Sequence, residues 1–347
     1  MSDATKTINR RALLRGTAIG TLAAPALVGQ AIAAGEVTWR CQSHWPKASS
    51  SFKDSLGVLA DQLAERTDGR FTIETFGAGE FAKGKEIYDI VKRGVVPMGT
   101  ISPSYIQDQV QAASFAYGIP GTFRQSWEFQ HALKNLGIED MVNAETMEQG
   151  VFYMTEKVLP VELVVSKPIE TVEDFRGLKL RSSGTMLDYL AAAGAAPQYI
   201  AGPELYQALS SGVVDGAHWG AAIGAKSMSL WEVAKYHVRP PLGMTADSFI
   251  VNAKALEDLP EDLRQILVSL MEERFWRRSS EYQHKEAIAL STGIDEEGVT
   301  VINLPEDVSG LLVAASSDIM AQEAEKGDYA AQAAEAYRGL MADLGYL

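Results

Sequence analysis

Between residues 37 and 94 the apolar positions recur with two alternating periods. Val37–Gln42 reads as a strand. "SSSFKDSLGVLADQLAERTDG" then sets Phe52, Leu56, Leu59 and Leu63 on one helical face, with serine at its start and Gly69 at its end. "RFTIETF" alternates Phe71, Ile73 and Thr75 as a half-buried strand does. A "GAGE" loop follows, then a helix through Ile87, Ile90 and Val91 that Gly94 stops. Strand, helix, strand, helix predicts a parallel α/β sheet, doubly wound where helices cover both faces.

The same order restarts near residue 160. Thr171 and Asp174 stand at capping-box spacing, Gly177 ends that short helix, and Leu178–Arg181 predicts a strand. Thr185 and Asp188 repeat the cap spacing, Gly194 stops a second helix, and Gln198–Ile200 predicts another strand. Pro203 opens a helix and Gly212 closes it, just before "VVDGAHW". Two α/β units imply two lobes with a crevice between them. From Pro260, Leu263, Ile266, Leu267, Leu270, Met271 and Phe275 form one stripe, and helical composition runs on to Leu290. That helix would be about 45 Å long, enough to lie across both lobes. The Ala- and Glu-rich tail from Leu311 is helical again.

The 347 residues have ordinary globular composition and length for two domains. A net charge of -14 argues against nucleic acid or an anionic membrane as partner, but not against a small anion held by local arginines. Residues 1–33 read as an export signal. They carry a basic head at Arg10, Arg11 and Arg15, a weakly apolar stretch, and Ala31-Ile32-Ala33. The paired arginines before Leu13 and Leu14 resemble a twin-arginine signal, with Asn9 where Ser or Thr is usual; an ordinary Sec signal is the alternative. Cleavage there removes four basic residues and Asp3, a net +3, and leaves -17. Cys41 is the one cysteine, so no intrachain disulfide forms, and it is expected as a small buried hydrophobe. The bacterial periplasm fits this pattern.

Catalytic chemistry has no local signature. His44, His131, His218, His237 and His284 show no zinc-site spacing. "GAGEFAKG" fits neither phosphate-binding fingerprint, no G-x-S-x-G elbow occurs, and Ser182 and Ser183 have no base suggested nearby. No cofactor and no metal is expected. Arg181 stands where a strand empties into a loop, the usual ligand position in open α/β sheets. Its planar fork suits a carboxylate, and from pattern alone either a ligand or Asp188 could supply one.

Five stretches in order carry a family resemblance. They are "SHWPKASSSFKDSLGVLADQLAERTDGRFTIETFGAGEF", "KPIETVEDFRGLKLRSSG", "ELYQALSSGVVDGAHW", "AKYH" and "IVNAKALEDLPEDLRQIL". The chain resembles the solute-binding proteins of tripartite ATP-independent periplasmic (TRAP) transporters over nearly all of its length after residue 33. "HWPK" and the tryptophan after "VVDGAH" look most like the branch for 2-oxo acids and related monocarboxylates. The resemblance implies an α/β, two-lobed periplasmic solute-binding fold, with a ligand cleft between the lobes and a long lobe-spanning helix. Residues 34–158 with 247–286 would form lobe I, and 159–246 with 287–347 lobe II and the C-terminal helices. It also implies a small organic acid ligand and TRAP membrane permease subunits as partners, with homodimer formation open. An exported enzyme acting on a small carboxylate and a ligand-sensing module are the competing classes.

By the same resemblance Arg181 clamps the ligand carboxylate, and Trp219, with His218 beside it, lines the pocket from the second lobe. Trp45, Phe52 and Tyr105 would approach from the first. Two positions depart from the 2-oxo-acid branch: a glutamine matches a place near Val161, and a glutamate before the tryptophan matches His218. Binding independent of any cation is therefore expected. If His218 is charged in the complex, binding should also weaken as pH rises through its titration.

Overall fold

The structure, a computed structural model, describes residues 36–347; the signal-like segment 1–33 lies outside them. β1 (Val37–Gln42) leads into a helix that is π-wound over Phe52–Gly57 and continues as α1 (Val58–Arg66), then β2 (Phe71–Phe76). α2 (Ile87–Lys92) and β3 (Met98–Ile101) complete the first block. α3 (Ala113–Tyr117), α4 (Ser126–Lys134) and α5 (Ile138–Glu148) precede the long strand β4 (Val151–Val165). The second block is α6 (Val172–Phe175), β5 (Lys179–Arg181), α7 (Thr185–Ala192), β6 (Ala196–Gln198), α8 (Leu205–Ser210), β7 (Gly216–His218) and α9 (Ala222–Ser227). β8 (Tyr236–Asn252), α10 (Ala253–Glu257), α11 (Glu261–Glu297), β9 (Thr300–Asn303), α12 (Glu306–Ala324) and α13 (Asp328–Asp343) finish the chain.

The two expected parallel sheets are the flanks of one mixed sheet, ordered β2-β1-β3-β8-β4-β7-β5-β6, with β9 also on β8. Pairing is parallel within β2-β1-β3 and β7-β5-β6. It is antiparallel where β3 meets β8, β8 meets β4 and β4 meets β7. β4 and β8 pair from Val151↔Asn252 to Val165↔Tyr236 and so join the two lobes. Both strands are buried along most of their length yet interrupted by polar residues, Thr155, Glu156, Lys157 and Glu162 in β4 and His237, Arg239, Thr245, Asp247 and Ser248 in β8, so neither shows a two-residue alternation. Their register shifts between Thr155 and Lys157 and between Val161 and Leu163, at the buried acids Glu156 and Glu162.

Several local expectations change. β6 falls at 196–198 rather than 198–200. Thr171 and Asp174 form their capping box, whereas Thr185 does not cap α7; the cap is Gly184, and Thr185 Oγ1 is buried without a partner. Gly184 has φ 57°, and a Cβ there would come within 2.7 Å of the Ser104 Cβ of the first lobe, so only glycine fits this closely packed turn. α11 is 37 residues long and ends at Gly298 in the left-handed conformation. That makes it about 55 Å, longer than expected, because Gly293 stays helical and accommodates the Trp231 ring. It packs on α1, β4 and α9, and so spans both lobes.

Cys41 is fully buried, as expected, in a cluster with Leu56, Leu59, Leu63, Phe71, Leu267 and Met271; burial pushes its thiol pKa up. Leu205, Leu209, Trp231 and Ala289 form a second-lobe cluster. α12 packs on α7, but α13 turns back onto α3, α4 and α5, where the Tyr337 hydroxyl donates to Phe115 O at 2.6 Å. The last helix therefore packs both on α12 and on α3, α4 and α5.

Candidate functional site

Parallel strands put their C-terminal ends on one edge, and here β5 ends on Arg181 beside β7, which ends on His218. A cavity of about 70 Å³ opens at these ends, against the loops after β1 and β3. By the same water-sized measure this is roughly five times the space one water needs, room for a small molecule.

Arg181 is 3 % exposed. Its Nε donates to Ile200 O at 2.9 Å and one terminal nitrogen to His218 O at 2.8 Å, so backbone carbonyls aim the guanidinium into the cavity. No carboxylate pairs with it among the described residues, which removes Asp188 as its partner. Trp219 lies 4.9 Å from the guanidinium carbon as a cation–π lid. Its indole has that position because Gly202 has no side chain: a Cβ there would come 2.4 Å from the ring.

From the first lobe, Trp45 and Tyr105 line the cavity, with His44 between them at ring distances of 4.6 and 5.8 Å. Phe52 does not line it. The helical face that carries Leu56, Leu59 and Leu63 takes Phe52 inward to the cluster beneath, and the neighbouring Ser49, Ser50 and Ser51 reach the cavity instead. Burial raises the phenol pKa values of Tyr105 and Tyr117, the latter to about 12, so both remain hydrogen-bond donors.

His218 lines the cavity, and its pKa is pushed down to about 3, first by burial and then by the Arg181 guanidinium. It is neutral at physiological pH, so it is not the charged group on which the expected pH dependence rested. Its Nδ1 is 3.0 Å from Ser182 Oγ. A base thus does stand beside Ser182, contrary to the local sequence reading. Ser182 is fully buried and off the cavity wall, however, and no carboxylate hydrogen-bonds His218 among the described residues.

The floor is the crossing pair itself. Leu159 and Thr245 are partners in register and both face the cavity; Val161, at the position matched to the glutamine, is buried in the core. Two residues along the same ladder, Asp247 of β8 pairs with Lys157 of β4. Lys157 Nζ lies 2.6 Å from Asp247 Oδ2 and 2.8 Å from Glu156 Oε2. Burial opposes the charge on Asp247, but Lys157 and His44 outweigh it and hold the carboxyl well below its ordinary range. Asp247 escaped the sequence reading; its signal is a single acid in the otherwise uncharged run "MTADSFIVN".

Behind the wall, Glu162, His237 and Glu286 place their side chains within 4.8 Å of one another. Trp231 Nε1–H faces His237 Nδ1 at 3.3 Å, which leaves the ring proton on Nε2, 2.5 Å from Glu162 Oε2. Arg239 Nε is 3.1 Å from the other Glu162 oxygen. Arg239 thus brings a positive charge to the cluster, while Glu162 Oε1 accepts no hydrogen bond. Burial, then Glu162, pushes the Glu286 pKa from 4.5 to about 8. The folded state therefore keeps a proton that the unfolded chain loses above 4.5. The stability this contributes is full below 4.5 and disappears as pH rises through 8. Relative to Glu286→Gln, wild-type Tm is expected to drop by roughly 3 °C or more between pH 5 and pH 8. Parallel melting curves across that range would exclude the raised carboxyl.

A two-lobed α/β protein with an arginine unpaired by any carboxylate in an interlobe cavity has the form of a solute-binding protein. The chain belongs to the bacterial extracellular solute-binding proteins, family 7, whose family model matches residues 42–326. It is 27% identical over 331 residues to a monocarboxylate 2-oxoacid-binding periplasmic protein of Nostoc sp., covering 92% of this chain and 90% of that one. A TRAP periplasmic solute-binding protein of Pseudoalteromonas atlantica, solved with sodium and pyruvate, superposes with a TM-score of 0.81 at 25% identity, over 90% and 95% of the two chains. One from Bordetella bronchiseptica, with calcium and picolinate, shares the fold with a TM-score of 0.82 at 22% identity, over 90% and 94%. The TRAP resemblance read from the sequence is borne out, and the protein works outside the cytoplasm, in the periplasm.

Proposed function

We propose that this protein captures a small organic carboxylate between its lobes and delivers it, unaltered, to a TRAP-type membrane permease. The carrying observation is Arg181, a buried guanidinium unpaired by any carboxylate and directed into the cavity. A buried charge left without its partner costs several kcal/mol, about 3–5 in typical cases, so an arriving carboxylate stabilises the closed cleft. In this reading Arg181 binds the carboxylate, Trp219 covers it, Trp45 and Tyr105 bound it from the first lobe, and neutral His218 adds a polar contact. Residues 36–158 and 247–286, with α13, move as one lobe, and 159–246 with 287–324 as the other. The buried Ser182 and its neutral histidine give no route to turnover.

Binding here needs no cation in this reading. Among the described residues Asp247 is the one carboxylate on the cavity wall, and Lys157 and Trp45 already hold its Oδ2. Leu159 offers no side-chain oxygen, and the His218 nitrogen suits sodium or calcium poorly. Titration calorimetry across monocarboxylates, dicarboxylates and aromatic acids, with and without chelator, tests both points. A ligand bound only with a cation would overturn the second, and no bound acid the first. Solution scattering should show a smaller radius of gyration with ligand; superimposed curves would count against a closing cleft. His218→Gln should leave the ratio of affinities at pH 6 and pH 8 unchanged.

A further inference from the structure

The cavity wall carries two opposite charges, Arg181 from the second lobe and Asp247 from the crossing strand β8. Asp247 Oδ2 is occupied, accepting from Lys157 Nζ at 2.6 Å and Trp45 Nε1 at 3.1 Å. Oδ1 has one long contact, His44 Nε2 at 3.3 Å. A carboxylate oxygen has two acceptor sites, so Oδ1 retains room for a donor. Charge points the same way: Asp247 and the fully buried Glu156 share a single ammonium, Lys157, and the other basic group at Asp247, the His44 imidazole, reaches only Oδ1 at 3.3 Å. Two carboxylates thus face one fixed positive charge, while the Arg181 guanidinium has no carboxylate partner among the described residues.

Resting on the carboxylate reading above, we propose that Asp247 makes this site select acids that also carry a hydrogen-bond donor beside the carboxylate, an ammonium or a hydroxyl, over their 2-oxo counterparts. An oxo oxygen only accepts, and set against Oδ1 it would place lone pair against lone pair. A hydroxyl gives Oδ1 a charge-assisted hydrogen bond. An ammonium does so too, and brings the missing positive charge to the Asp247 wall while its own carboxylate serves Arg181. The expected order of affinity is amino acid, then hydroxy acid, then oxo acid.

Matched triplets test this by titration calorimetry, with methyl, isopropyl and benzyl side chains and both enantiomers of each amino and hydroxy acid. For pyruvate, lactate and alanine, and for the two larger sets, the C2 substituent is then the one variable. In the set that fits best, a donor-bearing member should bind at least about ten-fold tighter than the oxo acid. Asp247→Asn should erase that preference while oxo-acid affinity holds or improves, and Arg181→Ala should weaken all three. Acids that bind through Arg181 with the oxo member equal or tighter would overturn the selection by Asp247 and leave the carboxylate reading standing. Calcium that raises oxo-acid affinity to parity would also overturn it, by making Asp247 a cation ligand. If no acid binds the folded wild type, both readings fall. Should Asp247→Asn not fold, the wild-type ratio within each triplet still decides.

Discussion

Arg181→Ala is expected to reduce carboxylate affinity by two to four orders of magnitude, since each charge-assisted hydrogen bond contributes about 1.5–3 kcal/mol and the fork makes two. The fold should survive. Among the described residues Arg181 donates only to the carbonyls of Ile200 and His218, and leaving each acceptor unmet costs about 1–3 kcal/mol. Arg181→Lys should also bind weakly, because an ammonium cannot reproduce the planar fork or keep both carbonyls and the ligand engaged. Calorimetry with melting temperatures separates binding from stability. Wild-type affinity in the lysine variant would make the residue a structural cation.

Lys157→Met should bring the largest loss of stability. Lys157 is fully buried, ion-paired with Glu156 and Asp247, and 4.4 Å from the centre of the Trp45 ring. Its removal leaves two carboxylates facing each other out of water, a situation that costs about 3–5 kcal/mol. Tm should fall by roughly 5–8 °C. Adding Glu156→Gln removes one stranded charge and should recover about half of that loss. Denaturation of the single and double variants decides the matter: a single variant melting within about 1 °C of wild type would mean the two acids take up protons at little cost.

Much of this site is legible in the chain itself. Arg181 announces itself because a strand end beside a Ser-Gly loop is a local arrangement that holds wherever the strands dock, whereas Trp219 is marked only by the family resemblance that "VVDGAHW" carries. Phe52 departs from its expected place for an instructive reason. It belongs to the apolar face it shares with Leu56, Leu59 and Leu63, and that face outranks its closeness to the cavity serines. His218 does stand at the cleft, but neutral rather than charged, since its pKa depends on desolvation and on Arg181, which lies 37 positions earlier in the chain.

The sequence by itself determined the two βα blocks, the turn glycines that end their helices, the long helix and the arginine. Each rests on periods, caps and backbone freedom confined to a few neighbouring residues. Tertiary structure alone decided that the blocks share one sheet through β4 and β8, and that α13 folds back onto α3, α4 and α5. It alone brought Asp247 to Lys157 across 90 positions. Strand pairing and burial join residues that no local period relates, and burial sets the electrostatic consequence of each charge: an arginine with no carboxylate partner among the described residues, and an aspartate held on one oxygen by a lysine and an indole.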